Sequence, residues 1–145
     1  MNTITMHGIL AIDTDGVGDH HNDKTAQNET SAKKDKNGKF VPASDPTGVE
    51  FLNADTDEYA VAPKNLAGLV KIGDTATVTF SGGKTHSAPV GDYGPSGKAG
   101  EFSLRAVKEM GVAILFTHAG PIPTLDGPAA SDIHVTVQFF PGSAK

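Results

Sequence analysis

Asp92 and Glu101 stand nine residues apart, separated by Tyr93-Gly94-Pro95-Ser96-Gly97-Lys98-Ala99-Gly100. Fully extended, that stretch would span roughly 30 Å, but its three glycines and one proline let it fold back tightly. Two carboxyls facing one cleft at about 6.5–9.5 Å are what an inverting glycosidase uses, one protonated toward the leaving oxygen and one ionised to activate water. On spacing alone a plainer reading stands first: Asp92 caps a turn, and Glu101 opens a helix in which it pairs with Arg105.

Two other groups invite chemistry. Asp13, Asp15, Asp19 and Asp23 gather around Gly16, which suggests a calcium loop, yet the positions where an EF-hand needs its first oxygen ligand and its closing glutamate hold Ala11 and Asn22. Asx turns and loop solvation account for the cluster as well. His20 and His21 lie beside Asp19 and Asp23, but adjacent side chains in extended chain point apart and chelate poorly. His7, His86, His118 and His134 add no ligand spacing, and no Gly-x-Ser-x-Gly is present. No metal and no cofactor are expected.

The elements that must carry these residues are mostly strands. The chain has 145 residues, 17 glycines, 9 prolines, 7 Phe and 2 Tyr, a composition suited to one domain of short strands and turns. Thr3 to Ile12 suits a first strand with Gly8 as a bulge. Residues 16–46 read as a long polar loop. Glu58 to Ala62 forms a short strand closed by Pro63, and a helical turn falls within Asn65 to Val70. Thr75–Phe80 and Thr85–Val90 make a hairpin around Ser81-Gly82-Gly83-Lys84, and Gly91 to Gly97 breaks the second strand. Residues 101–110 read as one amphipathic helix, with Phe102, Leu104, Ala106, Val107 and Met110 on one arc and Gly111 as its stop. A connection rich in Pro and Gly through Gly120, Pro121, Pro123 and Pro128 leads to a last strand, Asp132 to Phe140, with Ile133, Val135, Val137 and Phe139 on one face.

Composition also excludes. No cysteine is present, which removes disulfides, thiolate zinc sites and cysteine nucleophiles. A net charge of -5 has the wrong sign for holding nucleic acid through its phosphates and suits a cationic partner. No apolar run is long enough to span a bilayer, and Met1 to Gly8 lacks the basic and apolar regions of a secretory signal.

The order of the motifs resembles the fungal-type chitosanases of glycoside hydrolase family 75. Ala11-Ile12-Asp13-Thr14-Asp15-Gly16, then Asn22-Asp23 and Thr25-Ala26-Gln27-Asn28-Glu29-Thr30, is similar to that family's Asp-rich opening and its downstream Asn-Asp, Gln and Thr. Glu58-Tyr59-Ala60-Val61-Ala62-Pro63 is similar to its Tyr-Val-Val-Pro strand, and Gly91-Asp92 with Gly100-Glu101-Phe102-Ser103 to its Gly-Asp and Gly-Glu-Ala-Ser elements. Val135 to Ser143 matches the closing strand and Gly-Ser. Thr14 stands where the family often has cysteine, and Phe102 replaces a small residue.

The resemblance implies a single catalytic domain over residues 1–145, a double-psi β-barrel, and endo-acting, inverting cleavage of a β-1,4-linked amino-sugar polymer, chitosan first. It makes Asp92 and Glu101 the catalytic pair; the reading leans to Asp92 as acid and Glu101 as base, and the reverse stays open. Asp13, Asp15, Asp23, Gln27 and Tyr93 are expected to bind substrate, the three aspartates through glucosamine ammonium groups. The expected partner is the polysaccharide alone, with no nucleic acid, no membrane and a monomeric protein. Two alternatives accompany this reading. One keeps the chemistry on peptidoglycan, as in a cell-wall hydrolase of phage or secretion-system origin. The other is a non-catalytic barrel that binds polysaccharide or protein.

Overall fold

A computed structural model describes residues 2–124 and 132–144; Pro128 of the expected connection lies outside them. The strands, in chain order, are β1 (Ile4–Ile9), β2 (Ala11–Asp13), β3 (Ala32–Asp35), β4 (Phe40–Pro42), β5 (Gly48–Phe51), β6 (Ala60–Pro63), β7 (Thr75–Phe80), β8 (Thr85–Gly94), β9 (Glu101–Ser103), β10 (Ala113–Thr117), β11 (Gly120–Thr124) and β12 (His134–Phe140), with one helix, α1 (Leu104–Glu109), and a 3-10 turn at Lys64–Leu66. The described residues are mainly β, with one short α-helix, as the composition implies.

Seven strands form the main sheet in the order β1-β12-β7-β8-β6-β9-β2. Its two edge strands, β1 and β2, are consecutive in the chain and joined only through Leu10, so the sheet must curl until its edges approach each other. Leu10 is buried at the seam and its N–H donates to the Ile133 carbonyl, while Ala11 N–H donates to Gly100. Ile133, just before β12, and Val135, Val137 and Phe139 along it all turn inward, as the alternation predicts. They meet Val78, Val90, Tyr59, Phe102, Val107 and Met110 in the core under the curl. The β7–β8 hairpin forms as expected, with Thr75 opposite Pro89 and Thr79 opposite Thr85.

Four expectations are corrected. First, the helix does not begin at Glu101: residues 101–103 are β9, parallel to β2 with Ala11 opposite Glu101 and Asp13 opposite Ser103. Ser103 is the N-cap, its hydroxyl accepting from Ala106 N–H at 3.2 Å, so helix starts only after it. Phe102 reaches the core by strand alternation, and Arg105 pairs with Glu109 at 2.7 Å rather than with Glu101. Second, residues 16–46 are not one loop, since β3 and β4 lie inside them and join β5 in a small sheet. Charge hid these strands: Lys34 stands opposite Glu50 and bonds both Glu50 (3.3 Å) and Asp57 (3.0 Å), and Lys33 lies over the Phe51 ring. Third, Gly8 is no bulge. It sits in regular register opposite Val135, and a Cβ there would lie 1.9 Å from the Ala99 carbonyl oxygen. Fourth, Gly120, Pro121 and Pro123 belong to a β10–β11 hairpin.

Candidate active site

The Gly91 to Gly97 stretch does not break β8 at once; the strand continues to Gly94 and runs parallel to β6. Ala60 pairs with Val90 and Val61 with Asp92, so Gly91 is an extra residue, a β-bulge. Adjacent strand residues face opposite sides and paired ones the same side. Ala60 and Val61 therefore assign Val90 to the core side and Asp92 to the other. Gly91 is required because a Cβ would meet Leu52 Cδ1 at 2.4 Å and Tyr59 Cβ at 2.7 Å.

A cavity of about 520 Å³ opens where the ends of β2, β8 and β9 meet. Asp13, Asp15, Asp23, Gln27, Asp92, Tyr93 and Glu101 all line it, so every site residue expected from the sequence is brought to one place. Six of the lining side chains are carboxylic, counting Glu29, and none of the described lining residues is Lys, Arg or His. Asp13 ends β2, Glu101 begins the parallel β9, and Asp92 arrives on β8 through the bulge.

Hydrogen bonds hold each carboxyl differently. Asp92 Oδ1 accepts from the Ser31 N–H (2.9 Å), the Ser31 hydroxyl (2.8 Å) and the Tyr93 N–H (3.0 Å). Asp15 Oδ1 accepts from Gln27 N–H at 2.7 Å, and Asp13 Oδ1 from Asp15 N–H at 2.9 Å. Asp23 binds the Thr25 N–H and hydroxyl through Oδ1 and the Thr14 hydroxyl through Oδ2. Burial opposes charge on Asp23, but the Thr25 and Thr14 bonds outweigh it and keep its pKa below the ordinary value. Gly94 adjoins Glu101: a Cβ on it would lie 3.3 Å from Glu101 Oε1, so glycine leaves that carboxyl its space.

Burial, reinforced by the charges of Asp15, Asp92 and Asp23, pushes the Glu101 carboxyl up to about 7. Burial likewise pushes Asp15 up to about 6, opposed by the Gln27 N–H and aided by the neighbouring Asp92. Carboxylate oxygens of Asp13, Asp15 and Asp92 lie within 4.8 Å of one another.

Two expected substrate contacts need revising in kind. Asp13 lines the cavity but is 4% exposed, as buried as Asp92 at 5%, so both carboxyls sit at the base of the cavity. The Tyr93 hydroxyl donates to the Val70 carbonyl at 2.6 Å, so its phenol head is tied to the scaffold. Ser31 has no signal in the sequence: a lone serine in a polar stretch, it meets Asp92 across 61 positions of chain. His20 and His21 diverge, one bonding the Gly16 carbonyl and the other Asp55 at 2.5 Å, and neither lines the acidic cavity.

No protein-family model matches the chain, and no curated protein matches it. Among the described residues no helix is long and apolar enough to cross a membrane.

Proposed function

We propose that the protein is an inverting glycoside hydrolase acting on a β-1,4-linked amino-sugar polymer, chitosan first, with Asp92 and Glu101 as its catalytic pair. The observation that carries this reading is the convergence of both residues, from separate strands, on one acidic cavity whose described lining holds no cationic side chain. A cavity of that charge suits a polymer of protonated amines, and Asp15, Asp23 and Glu29 stand where ammonium groups would be met. In fold, the reading is of a double-psi β-barrel. The parallel pairs β6–β8 and β2–β9 and the seam at Leu10 support it.

The surroundings of the two carboxyls favour Glu101 as acid and Asp92 as base, the reverse of the sequence leaning. Glu101 is held up to about 7, so a large share keeps its proton near neutrality and can pass it to the leaving glycosidic oxygen. Asp92 Oδ1 is fixed by three donors, leaving Oδ2 to take a proton from an attacking water. Inversion requires that water to sit between the carboxyls on the face opposite the leaving group. The glycosidic C–O bond breaks as the water oxygen bonds to the anomeric carbon.

The test is incubation of the purified protein with partially acetylated chitosan and, separately, with purified murein sacculi, following reducing ends and the anomeric form of fresh product by proton NMR. Oligomers from chitosan that begin as the α anomer are expected. β-anomeric product would rule out inversion, cleavage of murein alone would move the substrate to peptidoglycan, and polymer binding with no cleavage of either would make the domain a binding module.

A further inference from the structure

Asp13 is singular among the carboxyls of the site. Its Oδ1 accepts the Asp15 N–H, but Oδ2 is buried with no hydrogen-bond partner, the one such side-chain nitrogen or oxygen among the described residues. The groups that face it are Asp15 from the turn after β2, Asp92 from β8, Glu101 from β9 and Tyr59 from the segment entering β6. Asp15, Asp92 and Glu101 are acceptors when ionised. The Tyr59 hydroxyl is the one neutral donor beside it, and it donates to the Asp15 carbonyl at 3.2 Å. An ionised Oδ2 would compete with the Asp15 carbonyl for the Tyr59 proton amid the Asp15 and Asp92 carboxylates, whereas a protonated one finds acceptors within the cluster.

We propose that Asp13 is held as a neutral carboxylic acid whose single O–H donates to the Asp92 carboxylate, beside Asp15, making it the positioning residue for the catalytic base. Three carboxylates within 4.8 Å, beside a cavity with no cation in its described lining, then carry two charges in place of three. In keeping with this, burial first, then the charges of Asp92, Glu101 and Asp15, push the Asp13 carboxyl up to about 9. The positioning role rests on the hydrolase reading; the protonation does not.

The experiment compares wild type with Asp13→Asn, whose amide keeps a donor in place of the O–H, and Asp13→Ala, which removes it. Carbon-13 NMR of the aspartate carboxyls in wild type is expected to show one that stays protonated through pH 7 and titrates well above it, a signal missing from Asp13→Asn. A folded pKa raised above the unfolded one gives stability that is full at acid pH and lost as pH rises from about 4 toward about 9. Asp13→Asn should therefore lose less Tm between pH 5 and pH 8 than wild type. On substrate, Asp13→Asn should keep kcat within about tenfold, and Asp13→Ala should lose about 10²-fold in kcat with KM little changed, the scale of one lost donor at a reacting centre.

A titration in which no aspartate carboxyl stays protonated through pH 7, or in which the one that does persists in Asp13→Asn, would overturn the proposal. So would an Asp13→Asn variant as impaired as Asp13→Ala, or calcium raising the wild-type Tm while a chelator lowers it, since a cation would then hold the cluster. NMR and unfolding need no substrate. A protein that cleaves neither polymer would sink the hydrolase reading while leaving the protonation of Asp13 decided by titration.

Discussion

Val61 of β6 stands opposite Asp92 of β8, while its neighbour Ala60 stands opposite Val90. One residue on β6 advances where β8 advances two, and the surplus is Gly91. That offset turns an aspartate out of the core and into the cavity. The bulge is packed, because Leu52 and Tyr59 fill the space a side chain would take.

Gly91→Ala should therefore damage both stability and the site. The added methyl overlaps the Tyr59 Cβ as well as the Leu52 side chain, and overpacking of this kind costs about 1–3 kcal/mol. Chemical denaturation should show the loss, and activity should fall further than stability alone explains, because Asp92 moves with its strand. An Ala variant with unchanged midpoint and turnover would contradict the bulge.

Glu101→Gln and Asp92→Asn remove the proposed acid and base while preserving shape. Each should lower kcat by about 10²–10⁴-fold, the usual contribution of a positioned acid or base. Far-ultraviolet circular dichroism should match wild type. Near-normal release of reducing ends from either variant would clear that residue of its role.

The pH dependence follows from Glu101. As the acid it works only when protonated, so kcat should fall as pH rises through about 7. The same raised value makes Glu101 a source of stability at acid pH that disappears from about 4.5 up through about 7. A pH series of thermal melts on wild type and Glu101→Gln should show the smaller decline in the variant. A kcat profile rising through pH 7 would reverse the assignment.

Ser31→Ala deletes the hydroxyl that donates to Asp92 Oδ1 at 2.8 Å and leaves the Ser31 N–H bond in place. Hydrogen bonds to charged groups contribute about 1.5–3 kcal/mol, so turnover should drop roughly 10-fold or more, with smaller changes in KM. Steady-state kinetics on chitosan oligomers would show it; an unchanged kcat would mean that Asp92 needs no help from Ser31.

Much of the arrangement was legible in the sequence. Period-two alternation placed β12 and the β7–β8 hairpin, because a strand half-buried on a curled sheet needs that pattern. The order of Asp13, Asp15, Asp23, Gln27, Asp92, Tyr93 and Glu101 along the chain named the lining of one cavity. Less visible were β3 and β5, whose cross-strand contacts are made by Lys34 with Glu50 and Lys33 with Phe51, and β9, where the alternation of Glu101, Phe102 and Ser103 merges with a helical arc one residue later.

Residue types and local periodicity thus set by themselves the alternating strands β7, β8 and β12 and which carboxylates are available, since both depend on neighbours along the chain. Tertiary structure alone decided how those carboxylates differ. Oδ1 of Asp92 meets Ser31, Glu101 loses its water, and Oδ2 of Asp13 is enclosed without a donor. Solvation and hydrogen-bond partners come from residues distant in sequence, so the protonation of chemically alike side chains is fixed only when the sheet curls.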